Sequence, residues 1–440
     1  MTVLEPRAIG TSVARRDGRA KVTGTATYAF EQQVDTPAYV HPVQATIARG
    51  RVIAMHADAV RAVDGVLDVL TVFDAPQLSD ASDGELAILQ DARVHFRGQI
   101  IGAVVAETAE IARDAAASVD IEYLAEPHDA ELRPDHPGLY TPESVNPSYP
   151  SDTDDGDVEA ALAAAEFTVD QTYTTPIEHN NPMEPHACIA QWVHGDTPEV
   201  TLYDSTQGVH AVRKTLAPLF GLEPEQLRVV APHVGGGFGS KGEPHAHNVL
   251  ALLAAQRAGG RPVKLALTRQ QMFSQVGYRT PTIQRMRLGA DPDGRLTALV
   301  HEVVEQTSAV KEFAEQTAVT SRKMYACSNR RTSHRLAALD VAVPFWMRAP
   351  VNARERSRPR SRWTSSRSRS ASIRSNCGSA TTPRSIPRPA SRGPAGTWWS
   401  AYGSVRNASG GPTVIRCPGK PLPENGSPGS ASHRRPTLGW

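Results

Sequence analysis

The nine residues V-G-G-G-F-G-S-K-G at 234–242 constrain this chain more than any other segment. Glycine has no Cβ, reaches positive φ without strain and lets backbone N–H groups come close to a ligand. The run follows a strand-like stretch holding Leu227, Val229 and Val230 and precedes an apolar helical one, H-N-V-L-A-L-L-A-A-Q-R-A. Bare backbone between a strand and a helix suits a phosphate or an oxo-anion. Two familiar phosphate motifs do not account for it. A Walker loop needs a hydroxyl residue after the lysine, where Gly242 stands. A dinucleotide fingerprint can be read formally from Gly237, but the next strand, P-V-K-L-A-L, runs into Thr268 without the acidic residue that would hold a ribose. A tight turn alone would explain the glycines. It gives no reason for Phe238, a bulky ring that needs something to cover.

Three other segments carry candidate chemistry. H-N-N-P-M-E-P-H offers His179, Glu184 and His186 as conceivable metal ligands. Its two prolines forbid the i, i+4 helical spacing of a zinc-binding helix, so a rigid loop lining a cavity is expected instead. Gln207, in D-S-T-Q-G-V-H, falls where a strand hands over to a helix. It is either an ordinary polar loop residue or an amide aimed at a cofactor. Arg348, in F-W-M-R-A-P, follows an apolar run and needs an anionic partner or water.

A chain of 440 residues has room for two or three cores. After an N-terminal segment, 1–19, residues 20–125 alternate strand and helix signals, which predicts a compact α+β domain. Strands are expected at K-V-T-G-T-A-T-Y-A, P-V-Q-A-T-I-A, V-L-D-V-L-T-V-F, I-I-G-A-V-V-A and D-I-E-Y, with an amphipathic helix before the last. The polar, Pro-rich stretch 126–157 reads as a linker. A second block, 158–350, carries the motifs above and a strand pair about the D-P-D-G turn at 291–294. Only Cys188 and Cys327 precede residue 351, without paired spacing, which predicts a reducing compartment and no thiolate metal site. No run of eighteen apolar residues predicts a membrane span, and M-T-V-L-E-P-R shows no secretory signal.

Taken together the motifs resemble those of the large, molybdopterin-binding subunit of molybdenum hydroxylases, the xanthine dehydrogenase and aldehyde oxidase family. The matching pieces are I-G-T-S-V-A-R-R-D-G-R-A-K-V-T-G-T-A-T-Y-A, H-N-N-P-M-E-P-H, S-T-Q, V-G-G-G-F-G-S-K and M-R-A-P, in family order across residues 9–350. The resemblance implies an α/β-hammerhead domain over 20–125 and the first of two cofactor domains over 158–350. It implies a molybdenum–molybdopterin cofactor, with the metal held through the pterin rather than by protein ligands. Gly236, Gly237, Phe238 and Gly239 would then lie against the molybdenum end, Gln207 over the metal's apical oxo side, and Arg348 on the pterin. The implied reaction hydroxylates a carbon of an aldehyde or a heterocycle with oxygen from water. Electrons leave through two [2Fe-2S] clusters to FAD, which the resemblance puts on separate iron–sulfur and FAD subunits. Purine oxidisers of the family carry a glutamate where Gly242 stands, so the match leans to the bacterial aldehyde-oxidising branch. The implied location is the cytoplasm, with export through the iron–sulfur subunit the alternative.

Residues 351–440 read differently. They hold 16 Lys and Arg against 2 acids, 17 Ser and 11 Pro, whereas the first 350 residues hold 31 basic against 44 acidic groups. Composition predicts a disordered basic tail, and a basic arm would suit nucleic acid as the competing function. Codon degeneracy offers another origin. Read one base early, residues 363–381 can encode M-D-E-L-A-E-A-L-G-I-D-P-I-E-L-R-L-R-N, and 397–411 can encode N-L-V-E-C-L-R-E-G-A-E-R-F-G-W. Both continue the family pattern in register, so the tail is expected to be that pattern out of frame. The chain would then lack the second cofactor domain and the family's late glutamate, the general base.

Overall fold

The computed structural model describes residues 10–348, so the basic tail, its out-of-frame reading and residues 1–9 lie outside the described residues. The chain enters through a short helix, α1 (Gly18–Val22). The strand expected over K-V-T-G-T-A-T-Y-A does not form. Gly24 takes φ +71°, and Thr25 N–H donates to the Ala20 carbonyl at 2.9 Å. The Thr23 hydroxyl donates to Arg19 O at 2.9 Å. These β-favouring threonines thus close a helix end instead of extending a sheet.

The first block supplies β1 (Ala38–Gln44), β2 (Gly50–His56), α2 (Asp58–Arg61), β3 (Val66–Thr71), β4 (Arg93–Val94), β5 (Ile100–Ala106), α3 (Ala109–Ala117) and β6 (Asp120–Ala125). Every residue of β5 is buried, as befits an unbroken apolar run covered on both faces. The Thr108 side chain caps α3 by accepting from Ile111 N–H, and its alanines 112, 115 and 116 are buried. β4, β2 and β6 make a separate three-stranded sheet.

Residues 126–157, expected as a linker, are built into the second block. They carry β7 (Ser144–Val145), β8 (Tyr149–Pro150) and β9 (Thr153–Asp155). Val145 is fully buried, and Tyr140 bridges to Leu336. The acid-rich stretch meets an arginine-rich strand through Asp152–Arg335, Asp154–Arg331 and Asp155–Arg330 pairs at 2.7–3.0 Å. Charge complementarity, invisible to apolar periodicity, places it.

The remainder runs α4 (Val158–Ala163), β10 (Phe167–Thr175), β11 (Ala187–Val193), β12 (Glu199–Asp204), α5 (Val209–Leu219), β13 (Leu227–Val230), α6 (Ala246–Arg257), β14 (Val263–Ala266), α7 (Arg269–Gln275), β15 (Thr282–Ala290), β16 (Leu296–Ser308), α8 (Val319–Met324) and β17 (Asn329–Leu339). One sheet has the order β13-β12-β11-β14-β1-β5-β3, and a second has the order β10-β15-β16-β17-β9. In the seven-stranded sheet β1 pairs in parallel with β14, so the first block's strands continue the second block's sheet. α6 is buried from Ala246 to Ala255 and lies across β11 and β14. Buried on all sides, it is a core helix and not a surface one. Among the described residues no helix is long and apolar enough to cross a membrane.

Candidate functional site

The glycine loop leaves β13, and Gly235, Gly237 and Gly239 each have a neighbour that a side chain would strike. A Cβ on Gly235 would enter Glu184, and one on Gly237 would enter the Gln207 amide. Gly239, at φ +107°, would carry a Cβ 2.6 Å from the Trp346 carbonyl. Phe238 sits in the left-handed region at φ +54°, unusual for a bulky residue, with its ring partly exposed. Neighbouring segments hold it there. Asn180 Nδ2 donates to Phe238 O at 2.7 Å and to Trp346 O at 3.2 Å, and Arg348 N–H donates to Phe238 O at 2.6 Å.

The structure brings Gln207, Gly236, Gly237, Phe238, Gly239 and Arg348 to one place. Gln207 Oε1 accepts from Gly239 N–H at 3.1 Å. That contact orients the amide and leaves Nε2 as a donor with no acceptor among the described residues. The Arg348 guanidinium lies over the Phe238 ring, 5.4 Å from its centroid. It is exposed, and among the described residues no carboxylate pairs with it. The expected anionic partner is therefore absent from the described residues, and water meets the alternative requirement.

His179, Glu184 and His186 do not converge on a metal. His179 packs edge-on against Phe273, with ring centres 4.6 Å apart. Glu184 forms a buried ion pair with Lys241, Nζ to Oε2 at 2.8 Å, and the same oxygen accepts from Gly235 N–H at 2.7 Å. His186 is enclosed beside His245 and His247. The rigid-loop expectation matches this arrangement: the segment clamps the glycine loop from one side.

Sequence reasoning missed three residues that shape the site. Lys241, with a fully buried side chain, also donates to Glu184 O at 2.9 Å. Burial pulls its ammonium below the ordinary value, against the raising pull of Glu184. Asn180 ties Phe238 to Trp346. Arg279 reaches the Arg348 carbonyl at 3.0 Å and pairs with Glu178 at 3.4 Å. A lysine inside a glycine run flags the first, since an ammonium there needs a carboxylate. Nothing local in sequence flags the other two.

The arrangement leaves donors aimed outward. Among the described residues no acceptor takes the N–H of Gly236, Gly237 or Phe238. Three successive free donors, the Gln207 amide N–H and an unpaired guanidinium form a site for an anionic, oxygen-rich group. A molybdopterin cofactor, with a phosphate and oxo ligands, has that chemistry, and the absent Cβ atoms leave room for close approach. The residues fit the group.

Comparisons with known proteins agree. Residues 23–127 match the aldehyde oxidase and xanthine dehydrogenase a/b hammerhead domain, and residues 141–355 match the molybdopterin cofactor-binding domain. The chain is 37% identical over 353 residues to the aldehyde oxidoreductase molybdenum-binding subunit PaoC of Escherichia coli O157:H7, covering 79% of this chain and 46% of that one. It is 31% identical to the carbon monoxide dehydrogenase large chain of Hydrogenophaga pseudoflava, over 74% of this chain and 42% of that one. Among solved structures, the aldehyde oxidoreductase of Desulfovibrio gigas superposes with a TM-score of 0.64 at 25% identity, covering 76% of this chain and 39% of that one. The chain thus spans about half the length of the curated relatives it matches.

Proposed function

The chain belongs to the aldehyde oxidase and xanthine dehydrogenase family as a molybdopterin-binding subunit, and from that premise we propose that it serves the oxidation of an aldehyde to a carboxylic acid. The observation that carries the reading is the cradle of free N–H donors at Gly236, Gly237 and Phe238, roofed by the oriented Gln207 amide. When bound, the molybdenum cofactor supplies a two-electron oxidation in which the oxygen added to the carbon comes from water. The chain's own residues do the positioning. The loop N–H groups and Gln207 Nε2 offer hydrogen bonds that fix the metal-bearing end, Arg348 offers its guanidinium to the pterin, and Phe238 keeps that end covered by an apolar ring.

Two electrons per turnover need an outlet. Separate subunits bearing [2Fe-2S] clusters and FAD provide it in this proposal, in the cytoplasm unless the iron–sulfur subunit directs export. The family's late glutamate, expected beyond Pro350, is the general base, so the 440-residue chain alone is proposed to be inactive. Gly242 standing in place of a glutamate points to an aldehyde and not a purine. The test is a chain continued in the alternative frame after Pro350 and produced with its two partner subunits. It is expected to retain molybdenum and turn over aromatic or aliphatic aldehydes faster than hypoxanthine. Gln207→Ala and Arg348→Ala should each lower turnover or cofactor retention by at least tenfold. A clear preference for hypoxanthine would sink the substrate assignment.

A further inference from the structure

A second polar cluster lies enclosed in the core and meets the glycine loop through Ser240. Cys188 on β11 and Asp204 on β12 are directly paired across the strands, so both project from the same face of the sheet. α6 brings His247 to them. The Cys188 sulfur, an Asp204 oxygen and a His247 ring nitrogen all lie within 4.8 Å of one another. All three residues are buried, and neither nitrogen of His247 has a hydrogen-bond partner. Beside them His186 Nε2 faces the Ser240 carbonyl at 3.3 Å. A carbonyl only accepts, so Nε2 carries the proton and Nδ1 is a bare lone pair, itself buried and unpartnered. The His186 and His247 ring centres are 5.5 Å apart.

Enclosing the His247 imidazole with both ring nitrogens unsatisfied is costly, because buried polar groups are ordinarily hydrogen-bonded. A divalent ion removes that cost. We propose that Cys188, Asp204 and His247 supply three ligands to a bound zinc ion. The chemistry selects the metal: a thiolate and an imidazole exclude calcium and magnesium, while one thiolate and one carboxylate balance a 2+ charge. The surroundings already orient one ligand. Asn248 Nδ2 donates to Asp204 Oδ1 at 2.9 Å. The ion would therefore brace the strand pair and α6 together. The spacing of the cysteines gave no hint of such a site, because its ligands come from three elements and only one is a thiol.

The inference stands apart from the molybdopterin reading and is tested on the 440-residue chain itself. Purified without chelator, the chain should carry about one zinc per molecule. Cys188→Ser and His247→Gln should each reduce this at least tenfold. Refolded with cobalt(II) as the only metal, the unsubstituted chain should show intense d–d absorption and a near-ultraviolet thiolate-to-cobalt band. The thiolate band should vanish in Cys188→Ser. Because either variant could fail to fold, the unsubstituted chain decides by itself. A chain with native far-ultraviolet dichroism that binds neither zinc nor cobalt, or binds cobalt without the thiolate band, overturns the proposal. So does undiminished zinc in a folded variant, since the ion would then lie elsewhere.

Discussion

Phe238 is the residue where the fold accepts local strain. A phenyl side chain at φ +54° costs about 1–2 kcal/mol relative to ordinary backbone, and the Asn180 and Arg348 contacts hold it in place. Glycine at 238 would relieve the strain but gain freedom in the unfolded chain worth about 0.5–1 kcal/mol, so the two effects nearly cancel. Valine, β-branched, tolerates the left-handed region worst. Urea unfolding of the 440-residue chain should therefore place Phe238→Gly close to the parent and Phe238→Val about 1–2 kcal/mol below it. Equal losses for both would mean that the ring's packing, and not backbone strain, dominates. Gly239→Ala belongs with the valine variant, because φ +107° and the Trp346 carbonyl at 2.6 Å leave no room to adjust. Much of this was legible in the residues themselves. The glycines and the ring stood out by their own chemistry, whereas Gln207 and Arg348 left an ordinary polar reading open until the family resemblance assigned them a role. Asn180 and Arg279 were not legible, because the contacts that place them lie far along the chain.

At the scale of single elements, the five-stranded sheet hides titratable groups that make folding pH-dependent from both sides. Burial pushes Glu305, on β16, up to about 8, and the nearby Glu315 up to about 7. Each is protonated in the fold and ionised when unfolded, so the stability it contributes is fully present below about 4.5 and is lost as pH rises to 7–8. The slope approaches 1.4 kcal/mol per pH unit for each proton released. The histidines act in the opposite sense. His334 donates from Nδ1 to Ser151 O at 2.7 Å and accepts Ala318 N–H on Nε2 at 3.0 Å, and burial depresses the ring to about 4 against the raising pull of the Ser151 bond. Burial lowers His301 to about 3. Their stabilisation is present above 6.5 and is lost as pH falls through those values. Thermal unfolding measured from pH 4 to pH 9 should show greatest stability in the mildly acidic range. Glu305→Gln should flatten the alkaline limb while leaving the acid limb unchanged. An unaltered alkaline limb would show that Glu305 does not carry a proton in the fold. The sheet's histidines and glutamates could be read in the sequence, but their burial could not. Alternation marked β15 and β16, whereas nothing local showed that β9 would pair with β17. Threonines near the N-terminus favoured a strand by propensity and instead close a helix end through local hydrogen bonds to Arg19 and Ala20, which outweigh that weak preference.

Over the whole molecule, the boundary that sequence composition draws between blocks does not coincide with the boundary of the core. Ala38 and Val40 on β1, Leu70 on β3 and Ile100 and Val105 on β5 share one apolar cluster with Ala190 and Trp192 on β11, Leu216 on α5 and Leu250 on α6. The sheet is continuous through the β1–β14 pairing. By contrast, β15 and β16 pack in small clusters of their own, one around Met286, Leu288 and Leu299 and another around Val158 and Val300. Cooperativity follows shared burial, so the weakest seam should run between the two sheets and not between the hammerhead and cofactor blocks. Ile100→Ala removes a fully buried side chain from β5 and should cost about 2–5 kcal/mol. Although Ile100 belongs to the first block, that loss should appear equally in β11, β12 and α6 of the second. Amide hydrogen exchange in increasing urea provides the measurement. Protection of the amides of β5, β11 and α6 should fall together in the variant, while that of β15–β17 should shift less. If β5 alone loses protection and β11 keeps it, the two blocks are independent folding units and the shared core does not couple them.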